Sequence, residues 1–415
     1  MPAVSGLSER ELLRVRGRLV EFCGEMFESM RRKDQRRWGE VYLRGLMLDG
    51  KRKSIEPMAA RLADGDEQCL QQFVNQSPWD PVAVRRALAR RMSRELSPEA
   101  WVIDDTGFPK FGKMSVGVAR QYSGTLGKVG NCQVGVSINA ASDRASCPLD
   151  WRLFIPKQWD EQSEFNERRR EKARVPQDVQ HREKWRLALD MIDELIGWGI
   201  TPPVVVDDGA YGDNTELRTS LEQRDISYVL DVKGVTSAYR EDVRRERPDY
   251  QGRGQPPKCR YQEDPSSLRD LALAAGQDAA VTVCWREGTR GKMSSRFLAL
   301  RVRPANIELR RAANKADKDL PVSWLLCEWP EHKDEPVKYW LSNLPSDTAV
   351  VDLVGLGKLR WRIEQDYREL KDALGLDHYE GRTYPGWNHH VTLVSVAHAF
   401  LTLERSRRPQ QRAAA

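Results

Sequence analysis

The chain has 415 residues, 40% hydrophobic and 31% charged, with 67 Lys and Arg against 61 Asp and Glu for a net charge of +6. Such a length calls for two or three domains, and such a composition excludes a disordered or fibrous chain. No run of about 18 apolar residues supports a membrane span, the N-terminus lacks a secretory pattern, and seven scattered cysteines without a CxxC pair provide neither a disulfide framework nor a zinc knuckle, so a cytoplasmic protein with reduced thiols is expected.

Residues 1–95 read as helical. "ERELLRVRGRLVEFCGEMFESM" spaces its apolar residues for a helix. In "SPWDPVAVRRALARRM", Asp80 precedes Pro81 as an N-cap before a proline at the first helical position. Three basic runs, "RRALARRMSRE" (85–95), "RREKARVPQDVQHREKWR" (169–186) and "RSRRPQQR" (405–412), stand out on a nearly neutral chain and point to a polyanionic partner.

From about residue 100 the pattern changes. "WVIDDTGF" (101–108), "NCQVGVSINAAS" (131–142) and "CPLDWRLFIP" (147–156) predict three strands, and the glycine-rich, basic stretch 112–130 between the first two predicts an irregular arm. A helix over about 178–199 should stop at Gly197 and Gly199. The strand "PPVVVDDGAYGD" follows, then a helix near 214–224 and the strand "ISYVLDVKG" (226–234). Strands, then helix, strand, helix and strand make a mixed α/β sheet. Residues 235–345 break this rhythm with a loop and four apolar stretches that predict antiparallel strands. Helices return in "TAVVDLVGLGKLRWRIEQDYRELKDALGLDHYEGR" and "NHHVTLVSVAHAFLTLERSRR". The histidines of these last helices lack an H-x-E or C-x-x-C context and are expected to serve packing and capping.

Two of the strands end in paired acids, "VIDDTG" and "VVVDDGAYG". Side chains alternate along a strand, so each pair sends one carboxylate to each face. Carboxylates converging at a sheet edge need a cation, and oxygen-only ligands suit Mg²⁺ or Mn²⁺. A third acid comes from "RWRIEQDYRELK". Arg360, Glu364, Arg368 and Lys371 form a polar stripe, opposite an apolar stripe of Ile363, Tyr367, Leu370 and Leu374, with Gly375 as a stop.

With these residues in view, the chain resembles the DDE transposases of bacterial insertion sequences, in the branch with a β-rich insertion between the second Asp and the Glu. The resemblance spans about 100–402 and rests on "WVIDDTGFPKFGKMSVGVARQYSGTLGKVGNCQVGVS", "DWRLFIPKQW", "VVVDDGAYGD" and "WRIEQDYRELKDALGLDHYEGR". The family's Glu has an Arg four residues before it and a basic residue seven after, matched by Arg360 and Lys371. The Tyr often found three residues before that Arg is Gly357 here.

The resemblance implies an RNase H-like catalytic domain in two parts, 96–234 and 346–407, around an insertion at 235–345. A helical DNA-binding region (1–95) would precede it and a basic tail (408–415) would follow. Within the acid pairs it favours Asp105 and Asp208. With Glu364 these would hold two Mg²⁺ or Mn²⁺ ions for phosphodiester hydrolysis and strand transfer at the ends of an insertion sequence. Arg360, Arg368, Lys371, Lys110, Lys113 and Arg120 would contact DNA, and Trp285, Trp324, Trp329 and Trp340 are candidates for stacking on an extruded base. The partners implied are double-stranded transposon ends and target DNA, with a homodimer on DNA in the cytoplasm at the nucleoid. Two other readings stay open: an RNase H-like structure-selective nuclease or resolvase, and a catalytically inactive, sequence-specific repressor.

Overall fold

The N-terminal helices begin where side chains can cap them. In a computed structural model, which describes residues 8–207, 209–250, 252, 257–288 and 291–407, α1 (Glu9–Met26) starts at Ser8, whose hydroxyl accepts from Glu11 N while Glu11 reaches back to Ser8 N. α2 (Lys33–Met47), α3 (Ile55–Arg61), α4 (Glu67–Asn75) and α5 (Pro81–Leu96) follow. The expected cap is present on α5: Asp80 accepts from Val82 N, with proline at the first turn.

β1 (Ala100–Pro109) pairs antiparallel with β3 (Lys128–Ala141), which pairs antiparallel with β4 (Ser146–Leu153). The stretch expected to be an irregular arm instead holds β2 (Ala119–Ser123), paired antiparallel with the start of β3 and closed by a turn at Gly124–Gly127. The glycines that mask its alternation serve that turn, where Gly127 takes φ +61°. α6 (Glu164–Lys172) and α7 (Lys184–Gly197) complete this part. α7 stops at Gly199, φ +81°.

β5 (Val205–Val206) is shorter than its valine run predicts and pairs in parallel with β6 (Tyr228–Val232) across α8 (Gly209–Gly212) and α9 (Thr215–Glu222). β7 (Ser237–Arg240), β8 (Ser266–Ser267), α10 (Leu268–Ala275), β9 (Val281–Gly288), β10 (Gly291–Pro304), α11 (Ile307–Ala316), β11 (Ser323–Glu328) and β12 (Lys338–Ser342) extend that sheet in the order β5-β6-β12-β11-β10-β7-β8, with β9 on β10. α12 (Val350–Lys358) lies against β6 and β9. α13 (Trp361–Asp372) and α14 (Tyr384–Arg407) then pack on earlier elements, α13 on β1, β3 and β4 and α14 on α1, α2, α4, α5 and β4. The class is mixed α/β, as the sequence predicts.

The chain forms two compact units: one runs to Thr201 and resumes at Trp361, and the other holds Pro202–Arg360. The helices α1–α5 fall in the first unit, and the chain passes between the units at 201/202 and 360/361. α14 is the cause. It packs on α1, α2, α4, α5 and β4 and is buried on nearly every side, polar residues included. His389 is flanked by the carbonyls of Val74 (2.8 Å) and Trp79 (3.0 Å). His390 Nε2 lies 3.1 Å from Gly375 O. A carbonyl can only accept, so Nε2 carries the proton and Nδ1 accepts from Tyr42 OH at 2.9 Å. These are the packing roles expected of the histidines.

Several cations of the basic runs are held inside the fold or in ion pairs, although most of the runs' described Lys and Arg are exposed. Arg85 is buried, and its Nε lies 2.7 Å from Asp150 on β4; the two side chains are 4% and 0% exposed. Asp150 also holds Arg152 at 2.7 Å, and Arg152 pairs with Glu194 of α7. Arg91 pairs with Glu25 and Glu95, Arg169 stacks over Trp159, Arg170 pairs with Asp160, and Arg405 pairs with Glu369. On α5 the exposed arginines are Arg86, Arg90 and Arg94, four residues apart. Residues 408–412 of the last run, and the tail 408–415, lie outside the described residues. Among the described residues no helix is long and apolar enough to cross a membrane.

Removing one partner of a buried ion pair strands the other, which typically costs about 3–5 kcal/mol. Arg85→Ala should therefore lose about that much in urea unfolding, while Arg86→Ala should stay within roughly 1 kcal/mol. Burial pushes the His390 imidazole down from 6.5 to about 4. With the folded value depressed, its contribution is complete above pH 6.5 and is lost as pH falls toward about 4, for a total of about 3 kcal/mol. Unfolding measured across that window should show this loss, and His390→Gln should flatten the corresponding part of the slope.

Candidate active site

In the first unit, strand alternation separates Asp104 from Asp105. Asp104 stands opposite Ser137 in the β1–β3 register, and Ser137 Oγ lies 2.7 Å from Tyr367 OH of α13. Asp104 therefore faces α13. It is buried, and its Oδ1 accepts from Asp105 N at 2.7 Å. The Tyr367 phenol is held well above its ordinary range, first by burial and then by the charges of Asp104 and Asp105. Asp105 points to the opposite face, where Lys184 Nζ of α7 sits 2.9 Å from its Oδ2. Nothing in the sequence pattern singled out Lys184; a lysine at the start of a helix reads as an ordinary surface residue.

α13 packs on β1, β3 and β4 through the expected apolar stripe, with Ile363, Tyr367, Leu370 and Leu374 all buried. Each of the three aliphatic side chains is worth roughly 1.5–3 kcal/mol, whereas an exposed pair such as Arg405–Glu369 adds about 0–1. The apolar face thus fixes the orientation of the helix, and Glu364 and Arg368 are left exposed on its other side. Gly375 (φ +68°) ends the turn, with Leu376 N donating to Leu370 O at 2.8 Å. Arg360 does not share this stripe: it precedes α13, belongs to the second unit, and its charge acts on Asp231 there.

Lys371 is at work inside the protein. Its Nζ donates to Gly107 O (3.0 Å) and Thr125 Oγ1 (2.9 Å), joining α13 to β1 and to the β2–β3 turn, and burial lowers its pKa. Lys110 is similarly tied to Tyr379 O and lowered by burial. Of the cations expected to contact DNA, Lys113, Arg120 and Arg368 are exposed.

In the second unit the valine run ends at Asp207, which is buried and accepts from Asp231 N at 2.9 Å. Its carboxylate thus fastens β5 to β6. Asp208 lies outside the described residues. The glycine of D-x-x-Y-G has a steric reason: a Cβ on Gly212 would stand 2.0 Å from Asp231 O. Asp231 is a carboxylate that the sequence reading passed over. It pairs with Lys338 at 2.8 Å, and burial raises its pKa against the pull of Lys338 and Arg360.

Trp329 and Trp340 are core residues, whereas Trp285 and Trp324 are half-buried. Trp285, Phe297 and Trp340 surround the Lys358 ammonium at 4.8, 5.6 and 5.7 Å, and Arg301 lies over Trp324 at 4.7 Å. A Cβ at Gly357 would meet the Trp340 indole at 3.2 Å, so a tyrosine there would need the indole to shift by a few tenths of an ångström. Among the described residues, no cluster of three or more His, Cys, Asp or Glu is placed to hold a metal ion.

A family model described as DDE superfamily endonuclease matches residues 25–292, more than half of the chain. The chain belongs to the DDE superfamily endonucleases. The segment matched by the family model includes both acid pairs and ends before Glu364, so Glu364 rests on the geometry of α13. A curated relative, a probable transposase for insertion sequence element IS701 from Microchaete diplosiphon, is 26% identical over 192 residues, 46% of this chain and 47% of the relative. The match thus spans about half the length of that relative. The piggyBac transposase synaptic complex with hairpin DNA, solved by cryo-EM, aligns with 96% of this chain and 80% of its own at 9% identity and a TM-score of 0.34, too low to bear on function.

Lys371→Met would keep the buried stem and free both acceptors. A hydrogen bond from a charged donor is worth about 1.5–3 kcal/mol. Amide exchange near Gly107 and over Ser123–Gly127 should therefore accelerate by about tenfold or more, while α14 stays protected.

Proposed function

We infer that this chain is a DNA transposase that cuts and joins the ends of an insertion sequence. The observation that carries this reading is that α13, oriented by its apolar stripe, lies against β1, the strand that bears the first acid pair, and presents Glu364 on its exposed side. Family membership supports nuclease chemistry, and the relative named for IS701 supports transposition. The antiparallel strands β1, β3 and β4 would supply part of an RNase H-like catalytic domain.

One carboxylate from β1, together with Asp208 and Glu364, would hold two Mg²⁺ or Mn²⁺ ions. The donor set is oxygen-only, which fits these ions and not Zn²⁺. When bound, such ions lower the barrier to attack by water or a DNA 3′-OH and stabilise the leaving oxygen. Asp207 is committed to β6, which supports Asp208 as the ligand of its pair. On β1 the resemblance favours Asp105, with Lys184 as its counter-charge, whereas Asp104 is buried against the Tyr367 face of α13. Arg368, Lys113 and Arg120 would bind phosphates near the cut. Lys371 and Lys110 would shape that surface from within, with Arg360, Trp285 and Trp324 as further contacts. The exposed arginines of α5 would take part in end recognition, and two DNA ends held together imply a homodimer on DNA at the nucleoid.

The test is cleavage of a DNA fragment carrying the sequences that flank this gene. Mg²⁺ or Mn²⁺ should support cutting. Ca²⁺, with oxygen distances of about 2.3–2.6 Å against about 2.0–2.1 Å for Mg²⁺, should support binding without cutting. Asp208→Ala and Glu364→Ala should lower cleavage by at least about a thousandfold with end binding retained, and whichever of Asp104→Ala and Asp105→Ala does the same names the β1 ligand. Full activity in EDTA would sink the reading. Cutting governed by branched structure instead of end sequence would make the protein a resolvase, and end binding without any cutting would make it a repressor.

A further inference from the structure

Between Asp105 and Asp143 the chain has no acidic residue, and it carries Lys110, Lys113, Arg120 and Lys128. This stretch builds the end of β1 and the β2–β3 hairpin. Just past β1, Phe111 stands fully in solvent, 104% exposed. Its turn is not slack. Asn131 Nδ2 donates to Lys110 O (2.7 Å) and Gly112 O (2.8 Å), Lys110 N donates to Asn131 O (3.1 Å), and Gly112 adopts φ +81°. A pinned turn that holds a phenyl ring out in water gives up the ordinary gain of burying it.

The register gathers more of the same chemistry around it. Val129 and Asn131 are two residues apart on β3 and share a face; Tyr122 stands opposite Val129, and Arg120 opposite Asn131. Tyr122, Val129 and Arg120 therefore lie on one side of the hairpin, with Tyr122 65% and Val129 52% exposed, and Phe111 stands in the adjoining turn that Asn131 holds. Exposed Lys113 follows in the same turn.

We propose that this face is a stacking platform for unpaired nucleobases, taking the single-stranded DNA that results when a duplex is opened near the cut. The proposal rests on the reading of the chain as a DNA-processing enzyme. Aromatic rings gain most from bases whose faces are free, and in a duplex those faces are covered by neighbouring base pairs. Asp377 and Glu380 are the acids that act on the neighbouring Lys110. Lys113 and Arg120 supply phosphate contacts, and the hairpin itself adds no carboxylate to set against a polyanion. The same feature disfavours a second copy of the chain, since a self-complementary contact would bring Arg120 and Lys113 toward their own equivalents.

The test uses the full-length chain and two fluorescein-labelled probes, a twenty-residue oligothymidylate and a blunt duplex of the same length, followed by anisotropy. Phe111→Ala should weaken oligothymidylate binding by about 5- to 100-fold, the ordinary worth of a stacked base, and duplex binding by less than about threefold. Phe111→Trp should restore single-strand affinity. Tyr122→Ala should act in the same sense, whereas Lys113→Ala should weaken both probes alike and lower the salt dependence. Equal losses on the two probes for Phe111→Ala, or unchanged binding of both, would overturn the platform. A Phe111→Ala protein that turned from dimer to monomer in sedimentation, with single-strand binding intact, would overturn it in favour of a contact between copies. If the platform failed while Glu364→Ala still abolished cleavage, the transposase reading would stand. If the wild-type chain bound neither probe and cut no DNA, that reading would fall first.

Discussion

The ion pair between Arg85 and Asp150 is the constraint on which the first unit depends. Both charges are out of water, so neither can be accommodated without the other. Around them converge α5, which supplies Arg85; β4, which supplies Asp150 and Arg152; α7, which supplies Glu194; and α14, whose Asn388 and Thr392 lie 3.3 and 3.4 Å from the Arg85 guanidinium. Ridge packing alone would let these elements slide over one another, whereas hydrogen-bonded charges in a dry core allow one arrangement. That arrangement fixes β4, β3 and so β1, the strand that bears the first acid pair.

From β1 outward, the logic is that of strand alternation. Adjacent aspartates look equivalent in one dimension and are opposites in three: one is buried toward α13, and the other is neutralised by a lysine of α7. In the second unit Asp207 is engaged by the fold as well, accepting from the backbone of β6.

The elements that could be read from the sequence were those with strong periodicity or a capping signal. The β1, β3 and β4 strands, the cap at Asp80 and the two faces of α13 all follow from residue spacing. What could not be read depends on partners far along the chain. Arg85 looks like any other arginine in a basic run until Asp150 is placed beside it. Lys371 fits a phosphate-binding pattern, yet its amine joins β1 to the β2–β3 turn. The β2 strand was hidden because its turn needs the glycines that otherwise signal irregular chain, and Lys184 carried no local signal at all. For the candidate site, the helix that carries Glu364 was legible, while the opposite settings of Asp104 and Asp105 needed the fold.

The position of α14 has a consequence for how the molecule comes into being. Its neighbours α1, α2, α4 and α5 are made more than 280 residues earlier. As synthesis proceeds at the ribosome, those first helices emerge with apolar grooves whose filler has not yet been translated, and Arg85 waits for its surroundings to close. The first unit can reach its native core only after the last helix leaves the exit tunnel. A chain truncated by premature termination or a late frameshift would therefore lack more than a C-terminal segment: it would expose the apolar surfaces of its oldest part and become a substrate for chaperones and proteases.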